Sequence, residues 1–219
     1  MNQEIKLGYF KPSIADAEAF LHMLYNVDEL EHNADAERQL FTEAIKFLNA
    51  HFHSDVVQIA EYIEGIEIGV LDGDCSRHLL GILDNIRLLG IDPLIPDSME
   101  ASMIGSIEKI RTNTEQFGER FHFWNDYSQN VVDSIENNSL HFIFIDGDHT
   151  YEAVKRDYEL YYPKVKKGGM MFFHDSRMNR GGANFHVGSS KFVDELIANY
   201  GNNLILVGEA FSLTCFIKK

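Results

Sequence analysis

The sequence predicts an α/β protein in which a mostly parallel, doubly wound sheet is covered by helices on both faces. Short apolar runs rich in β-branched and aromatic residues recur along the chain, and each is closed by a turn signal. Helical periodicity returns after each of the first five runs. Strands that alternate with helices form parallel sheets, because each crossover helix carries the chain back to the same end of the sheet.

The first 61 residues are predicted to form a helical cap that belongs to the same domain as residues 62–219. Residues 13–27 and 34–53 place apolar side chains on shared helix faces. A chain of 219 residues is most simply a single domain. An exposed helical cap could also serve a homodimer.

Seven strands follow the cap. The first five are predicted at residues 65–71, 86–93, 120–126, 140–146 and 168–175, and the last two, at 203–208 and 212–219, form an antiparallel hairpin. Helices are predicted at 76–83, near 98–113, and at 128–137, 150–162 and 190–200. Trp124 lies on the third strand, where it is expected in the core.

Residues 176–190 form a long connection that contains several glycines and few apolar residues. Connections at the carboxyl end of a parallel sheet often cover a substrate. Arg177, Arg180 and His186 could therefore meet an anionic or sugar substrate, and the alternative is that they face solvent.

Composition excludes several classes of partner. The chain carries 34 acidic and 19 basic residues, a formal net charge of -15, which repels nucleic-acid phosphates and anionic membranes. No apolar run approaches the roughly 20 residues of a membrane span, and the amino-terminal sequence does not resemble a secretory signal. Two cysteines make no disulfide framework, which favours a reducing, cytoplasmic location.

Glycines after the first strand and an acidic residue after the second predict a nucleoside-type cofactor. Gly69 and Gly73 would let the backbone turn tightly beside a ligand. Asp92 follows Gly69 by 23 residues, at a position where a carboxylate can accept hydrogen bonds from ribose hydroxyls. Either feature alone is equally consistent with an ordinary turn, so the prediction depends on the two occurring in register.

Polar side chains also follow the fourth and fifth strands. Asp146 and His149 come after one strand, and His174 and Asp175 end the next. Since parallel strands end at the same edge of a sheet, these groups are expected to face each other across a crevice. Carboxylates so placed suit a hard divalent cation such as Mg2+, and a histidine ligand would shift the preference towards Mn2+, Zn2+ or Fe2+.

Several segments together resemble the class I S-adenosylmethionine-dependent methyltransferases, which have a Rossmann-like fold. The segments are "IEIGVLDGDCS", "GIDP", "FIDGDHTYEAVKRDYELYYPKVKKGGMMFFHD" and the final hairpin, and the resemblance covers about residues 62–218. The chain is most similar to the small-molecule O-methyltransferases of the catechol and macrocin types. "DYSQNVV" resembles their adenine-contacting segment. The resemblance implies methyl transfer from S-adenosylmethionine to a hydroxyl of a sugar or phenol.

The resemblance also assigns roles to individual residues. Those implied to bind the cofactor are Glu67, Gly69, Gly73, Ser76, Asp92, Ser128, Gln129 and Asp146. Either Cys75 or Ser76 would meet the cofactor carboxylate, and a structural role is favoured for Cys75. Those implied to bind Mg2+ or Mn2+ are Asp146 and Asp175, with His174 as a further candidate.

His149 is the candidate general base, since a histidine at this position looks like the base in sugar-modifying relatives and imidazole titrates near neutrality. The alternative is an exposed residue in the first turn of a helix capped by Asp148 or Thr150. It is also open whether a metal binds at all, because Asp146 could instead anchor the cofactor.

Two other functions remain open from the sequence. A nicotinamide-dependent oxidoreductase could use the same architecture, although the chain lacks G-x-G-x-x-G after its first strand. A non-catalytic cofactor-binding scaffold could keep the fold without turnover. The combination of Asp146, His149 and Asp175 argues against the scaffold.

Overall fold

The computed structural model describes residues 34–52, 62–96, 103–180, 186–199 and 203–219. The helix predicted at 13–27 lies outside the described residues.

A seven-stranded sheet with the order β3-β2-β1-β4-β5-β7-β6 forms the centre of the protein. The first five strands pair in parallel, and the last two form an antiparallel hairpin on β5. The predicted sheet and its closing hairpin are confirmed. The strands are β1 (Ile63–Ile68), β2 (Ile86–Ile91), β3 (Phe121–Trp124), β4 (Leu140–Ile145), β5 (Val165–Phe173), β6 (Leu204–Ala210) and β7 (Leu213–Lys218).

Helices connect the parallel strands in the predicted alternation. In the described part of the chain, no helix combines the length and apolar composition needed to cross a lipid bilayer. The helices are α1 (Ala34–Phe52), α2 (Asp74–Ile82), α3 (Ile107–Thr114), α4 (Ser128–Val131), α5 (Tyr151–Tyr161) and α6 (Val187–Asn199). Short 3-10 segments occupy Glu115–Arg120, Val132–Ser134, Tyr162–Lys164 and Met178–Arg180.

Element boundaries differ from the predicted ones where backbone conformation decides them. β1 ends at Ile68, three residues before its predicted end, because Gly69 and Leu71 adopt left-handed φ angles of 87° and 52° that a strand cannot continue through. Within the described residues, α3 begins at Ile107 after Ser106, whose hydroxyl accepts a hydrogen bond from the Lys109 amide. The chain before α3 is therefore a loop as far back as residue 103.

Two apolar layers hold the helices on opposite faces of the sheet, as a doubly wound fold requires. On one face Phe41 of α1 packs against Phe172 of β5, with ring centroids 4.6 Å apart. On the other face Val154 of α5 and Phe192 of α6 pack against the alternate side chains of β4 and β5. Each fully buried large apolar side chain contributes roughly 1.5–3 kcal/mol to folding.

Trp124 is the one prediction about the core that is wrong. Its side chain is 43% exposed. β3 is the edge strand of the sheet, and its residues alternate between partly buried and exposed. An edge strand therefore presents one row of side chains to solvent, which the apolar composition of "FHFW" did not reveal.

Candidate active site

The carboxyl ends of β1, β2, β4 and β5 open into a cavity of about 540 Å³. This is the edge at which parallel α/β sheets bind their ligands. The cavity wall includes most of the residues selected from the sequence. They are Glu67, Gly69, Asp92, Ser128, Gln129, Asp146, His149, His174 and Asp175. Gly73 and Ser76 do not reach the wall.

The loop after β1 brings the two halves of the cavity together. Gly69 has a φ of 87°, and a Cβ atom at this position would lie 2.1 Å from the carbonyl oxygen of Asp146. Only glycine allows this approach. The Asp146 amide also donates a hydrogen bond to the Ile68 carbonyl at 2.8 Å. The end of β1 and the end of β4 are thus in direct backbone contact.

Asp92 fixes the same loop from the other side. Its Oδ2 accepts hydrogen bonds from the amides of Val70 and Leu71 at 2.8 and 2.9 Å, and Oδ1 accepts one from the Leu94 amide at 2.7 Å. A carboxylate oxygen can accept about two hydrogen bonds, so among the described residues Oδ1 uses one of its two acceptor positions. The assignment of Asp92 to a ribose stays a prediction.

Glu67 is a buried carboxyl at the floor of the cavity. Ser76 is fully buried beneath it and donates a hydrogen bond to Glu67 Oε2, while Oε1 has no hydrogen-bond partner among the described residues. Burial raises the pKa of Glu67 to about 8, and the Ser76 hydroxyl opposes this increase. The carboxyl is therefore protonated near neutral pH. Cys75, and not Ser76, is the residue of this pair on the cavity wall.

A second buried carboxyl, Asp157, lies near the β3 end of the cavity. The Ser128 hydroxyl donates a hydrogen bond to Asp157 Oδ1 at 2.5 Å, and Tyr161 donates one to the Ser128 carbonyl at 2.8 Å. Asp157 is 2% exposed. Burial raises its pKa to about 6, against the lowering effect of Ser128. Sequence reasoning missed Asp157, although its place between Val154 and Tyr161 on the buried face of α5 was a usable signal.

Four side chains meet on the cavity wall where β4 and β5 end, and they are termed the Asp–His cluster below: Asp146, His149, His174 and Asp175. One side-chain nitrogen or oxygen from each of the four lies within 4.8 Å of the others. His149 Nε2 lies 3.4 Å from Asp146 Oδ1 and 3.2 Å from Asp175 Oδ2. His174 Nδ1 lies 3.0 Å from Asp146 Oδ1 and 3.5 Å from Asp175 Oδ1. The predicted meeting of the two strand ends is present in the structure.

The carboxylates and imidazoles of the Asp–His cluster stabilise each other's charged forms. Burial opposes ionisation of all four groups, but the neighbouring groups of opposite charge outweigh it. They hold the pKa of Asp146 and of Asp175 below the ordinary range. They raise the pKa of His149 to about 10 and hold the pKa of His174 well above its usual value. Without a bound cation, the cluster contains two carboxylates and two imidazolium groups at neutral pH.

In the turn after β5, neighbouring side chains point in different directions, some into the cavity and one into the packing of the hairpin. Asp175 has a left-handed φ of 48°, a conformation that is uncommon outside glycine and tends to occur at functional sites. Ser176 is fully buried, and its hydroxyl bonds the Phe173 carbonyl at 2.9 Å and the Thr214 hydroxyl at 2.7 Å. Asp175 and His174 therefore face the cavity, while Ser176 belongs to the packing of the hairpin.

His186 lies on the cavity wall, directly before the first residue of α6. Its ring stacks on His149 with centroids 4.0 Å apart and planes 22° apart, and its Nε2 lies 3.2 Å from Asp175 Oδ2. His186 therefore lies beside the Asp–His cluster, and its contact with a substrate stays a prediction.

Arg177 and Arg180 do not lie on the cavity wall, and the protein itself supplies their partners. Arg177 is 2% exposed and donates a hydrogen bond to the Phe211 carbonyl at 3.0 Å. Arg180 bonds Glu209 at 2.7 Å and Asp194. These cations attach the chain after β5 to the hairpin and to α6. The solvent-facing alternative is wrong for Arg177, and the side chain of Arg180 is 20% exposed. Composition could not reveal this, because their partners come from distant parts of the sequence.

A model of the family described as "Methyltransferase domain" matches residues 66–176, from within β1 to just after β5. The chain belongs to this methyltransferase family. The matched residues include the whole Asp–His cluster as well as Glu67, Asp92 and Asp157.

Individual proteins support the fold. The chain is 32% identical over 118 residues to an uncharacterized protein of Acanthamoeba polyphaga mimivirus, a match that covers 50% of each chain. It spans half or less of the length of the curated relatives it matches. The O-methyltransferase NovP aligns at 18% identity with a TM-score of 0.59, covering 84% of this chain and 79% of NovP. TomG from Streptomyces achromogenes, an O-methyltransferase solved with S-adenosylmethionine, aligns at 12% identity with a TM-score of 0.55, covering 97% and 92%.

The donor set of this methyltransferase suits a divalent cation. The Asp–His cluster combines two carboxylates and two imidazoles, which can together bind one metal ion. His174 Nδ1 is buried and makes no hydrogen bond among the described residues, although Asp146 is within 3.0 Å. A buried ring nitrogen at that distance without hydrogen-bond geometry is what a ligand atom would present. The residues therefore fit the metal predicted from the sequence.

Proposed function

We propose that this chain is an S-adenosylmethionine-dependent O-methyltransferase whose acceptor is a hydroxyl of a small molecule, a sugar or a phenol. The observation that carries the proposal is the Asp–His cluster, which closes one end of a cavity at the strand ends of a methyltransferase-family fold. The net charge of -15 favours a small acceptor over nucleic acid or an anionic membrane.

The cofactor is proposed to occupy the part of the cavity formed by β1, β2 and the segment after β3. Glu67, Gly69 and Asp92 would border its methionine and ribose parts, and Ser128 and Gln129 its adenine. All five line the cavity. Gly73 contributes indirectly, since it lies behind the wall at the start of α2 and has a φ of 81°.

The Asp–His cluster is proposed to bind a divalent cation, with Mn2+ favoured over Mg2+. Imidazole nitrogens suit Mn2+, Zn2+ and Fe2+ better than Mg2+, which prefers oxygen ligands. When bound, such a cation lowers the pKa of a coordinated hydroxyl and fixes its position. Asp146, His174 and Asp175 are the ligands predicted from the sequence.

His149 is proposed as a fourth ligand, and its role as general base becomes the alternative. Its Nε2 is directed at the same two carboxylates that would hold the cation. A base must be unprotonated, and the raised pKa of about 10 leaves the imidazole protonated at neutral pH until a cation displaces the proton. His149→Ala separates the roles, because a ligand would be needed for Mn2+ affinity and a base only for turnover at saturating Mn2+.

Isothermal titration of the full chain with S-adenosylhomocysteine and with NAD+, each with and without Mn2+, tests the proposed function. We expect S-adenosylhomocysteine to bind and NAD+ not to bind. Transfer of labelled methyl groups to catechol- and sugar-type acceptors should then be lost on addition of EDTA. Binding of NAD+ alone would show an oxidoreductase, and binding of neither nucleotide would favour the scaffold.

A further inference from the structure

We propose that Glu37, on the N-terminal helix α1, is a positioning residue for the Asp–His cluster, acting on His174 directly and through Ser212. This inference rests on the proposed metal site. It gives the N-terminal helix a part in the chemistry of the site, beyond that of a cap on the sheet.

Contacts on the far side of the His174 ring carry the inference. His174 Nδ1 faces the cluster, and its Nε2 lies 3.5 Å from Glu37 Oε2 and 3.2 Å from the Ser212 hydroxyl. Both the amide and the hydroxyl of Ser212 donate hydrogen bonds to Glu37 Oε1, the amide at 2.8 Å. One carboxylate thus holds the hairpin turn with one oxygen and approaches the imidazole with the other.

Packing of α1 holds Glu37 in this place. The side chain of Glu37 is 13% exposed. One turn later on the same helix face, Phe41 packs edge-on against Phe144 with ring centroids 4.9 Å apart. Phe144 in turn lies edge-on to His174 at 5.8 Å. The helix therefore supports the imidazole twice, by a carboxylate at Nε2 and by a chain of aromatic rings.

A histidine that binds a metal through one nitrogen is normally oriented by an acceptor at the other. The acceptor fixes the tautomer and the direction of the ring, and its loss typically lowers metal affinity by about 10–100-fold. Glu37 presents this acceptor to Nε2, which leaves Nδ1 unprotonated and directed at Asp146 and Asp175 when a cation is bound. A purely structural carboxylate would need only the bonds to Ser212.

Titration of the full chain with Mn2+ alone tests the proposal without an acceptor substrate. Glu37→Gln keeps the length of the side chain and an oxygen for the Ser212 amide but removes the charge facing His174. We expect its Mn2+ affinity to fall by about 10–100-fold. The matched control is Glu43→Gln, on the same helix, where a carboxylate that is 26% exposed pairs with Lys46 at 3.1 Å. The Mn2+ affinity of this variant should equal that of the wild type.

A second readout separates positioning from structural support. In the Zn2+-loaded wild type, long-range 15N–1H spectra should show His174 protonated at Nε2, and this signal should broaden or disappear in Glu37→Gln. If Glu37→Gln does not fold, Ser212→Ala, which removes the bridging hydroxyl and keeps Glu37, should still weaken Mn2+ binding several-fold. Unchanged affinity in the folded variants would overturn the positioning role. Absence of Mn2+ binding to the wild type would instead refute the metal site itself, and the positioning role would fall with it.

Discussion

The cavity contains two kinds of carboxyl group, and their pKa values are shifted in opposite directions because they differ in neighbours. At one end, Asp146 and Asp175 face two imidazoles, and their pKa values lie below the ordinary range. Elsewhere, Glu67 and Asp157 have a serine hydroxyl as their hydrogen-bond partner, and burial raises their pKa values to about 8 and about 6. Desolvation opposes ionisation of all four, so the two imidazoles beside Asp146 and Asp175 reverse the direction of the shift there. Arg156 lies 3.9 Å from Asp157 Oδ1 and lowers the pKa of Asp157, but it does not outweigh burial.

The difference indicates a division of the cavity by chemistry. The ionised pair, Asp146 and Asp175, can bind a cation, whereas Glu67, which is protonated near neutral pH, can donate and accept hydrogen bonds without adding charge. Asp157, with a pKa of about 6, loses its proton just below neutral pH. Acidic residues that look equivalent in the sequence therefore differ in pKa in the folded protein. The predictions that follow test this contrast, beginning with the largest expected effect.

Removal of a carboxylate from the ionised pair should abolish cation binding. In Asp175→Ala we expect Mn2+ affinity to fall by more than about 100-fold, since a ligand of the ion itself is lost. Isothermal titration with Mn2+ measures this. Asp74→Ala is the control, because Asp74 also lines the cavity but lies at the start of α2 and pairs with Arg77. Equal losses in the two variants would show a general effect of negative charge in place of a defined site.

Glu67→Gln should remove a pH dependence of stability. The pKa of Glu67 is raised in the folded protein from 4.5 to about 8, so the folded state holds its proton more tightly. Stability from this group is fully present below pH 4.5 and is lost as pH rises through about 8, by roughly 3–5 kcal/mol in total. Urea unfolding at pH 5, 7 and 9 should show the wild type losing stability relative to Glu67→Gln. A constant difference across this range would mean that Glu67 is ionised throughout.

Asp157→Asn should show the same behaviour over a lower and narrower range. The pKa of Asp157 is raised from 3.8 to about 6. Its contribution to stability is therefore complete below pH 3.8 and lost as pH rises through about 6, by roughly 2–3 kcal/mol. Unfolding of the wild type and the variant between pH 4 and 7 measures it. A wild-type stability that rises across this window relative to Asp157→Asn would place Asp157 with the ionised pair.

Ser76→Ala should have the smallest effect. The Ser76 hydroxyl lowers the pKa of Glu67, so its removal should shift the pKa of Glu67 further upward and cost about 1 kcal/mol of stability at pH 7. Titration of the Glu67 carboxyl by 13C NMR gives the direction. A downward shift would mean that the hydroxyl stabilises the protonated form of Glu67.

The sequence predicted the fold well because its signals are local. Alternating strand and helix patterns gave the order of elements, and the residues that end β1, β2, β4 and β5 line the cavity as parallel topology requires. What it could not predict depends on contacts between distant segments. In the sequence Arg177 resembles a cation of an exposed loop, whereas in the structure it is buried against the hairpin and bonds the Phe211 carbonyl. Nothing in the sequence indicated that Glu37 contacts the site, because its partner Ser212 lies 175 residues away.

The charge states were beyond sequence reasoning for a related reason. Glu67 lies one residue before the end of β1 and Asp146 directly follows β4, and neither position by itself gives the charge of the carboxyl group. Their protonation depends on which side chains the fold brings within about 4 Å. Asp157 is an intermediate case, since an acidic residue on the apolar face of α5 could have been noticed before its partner Ser128 was known.

The hydrogen bonds from Ser212 to Glu37 have a consequence for the order in which the protein assembles. They join the first described helix to the turn between the last two strands. During synthesis the chain emerges from its amino-terminal end, so α1 must wait until the hairpin has been made before this contact can form. The full environment of His174 is therefore completed after the parallel strands have been made. At the proposed cation site, a newly made chain would reach its tightest affinity only when the hairpin closes on α1.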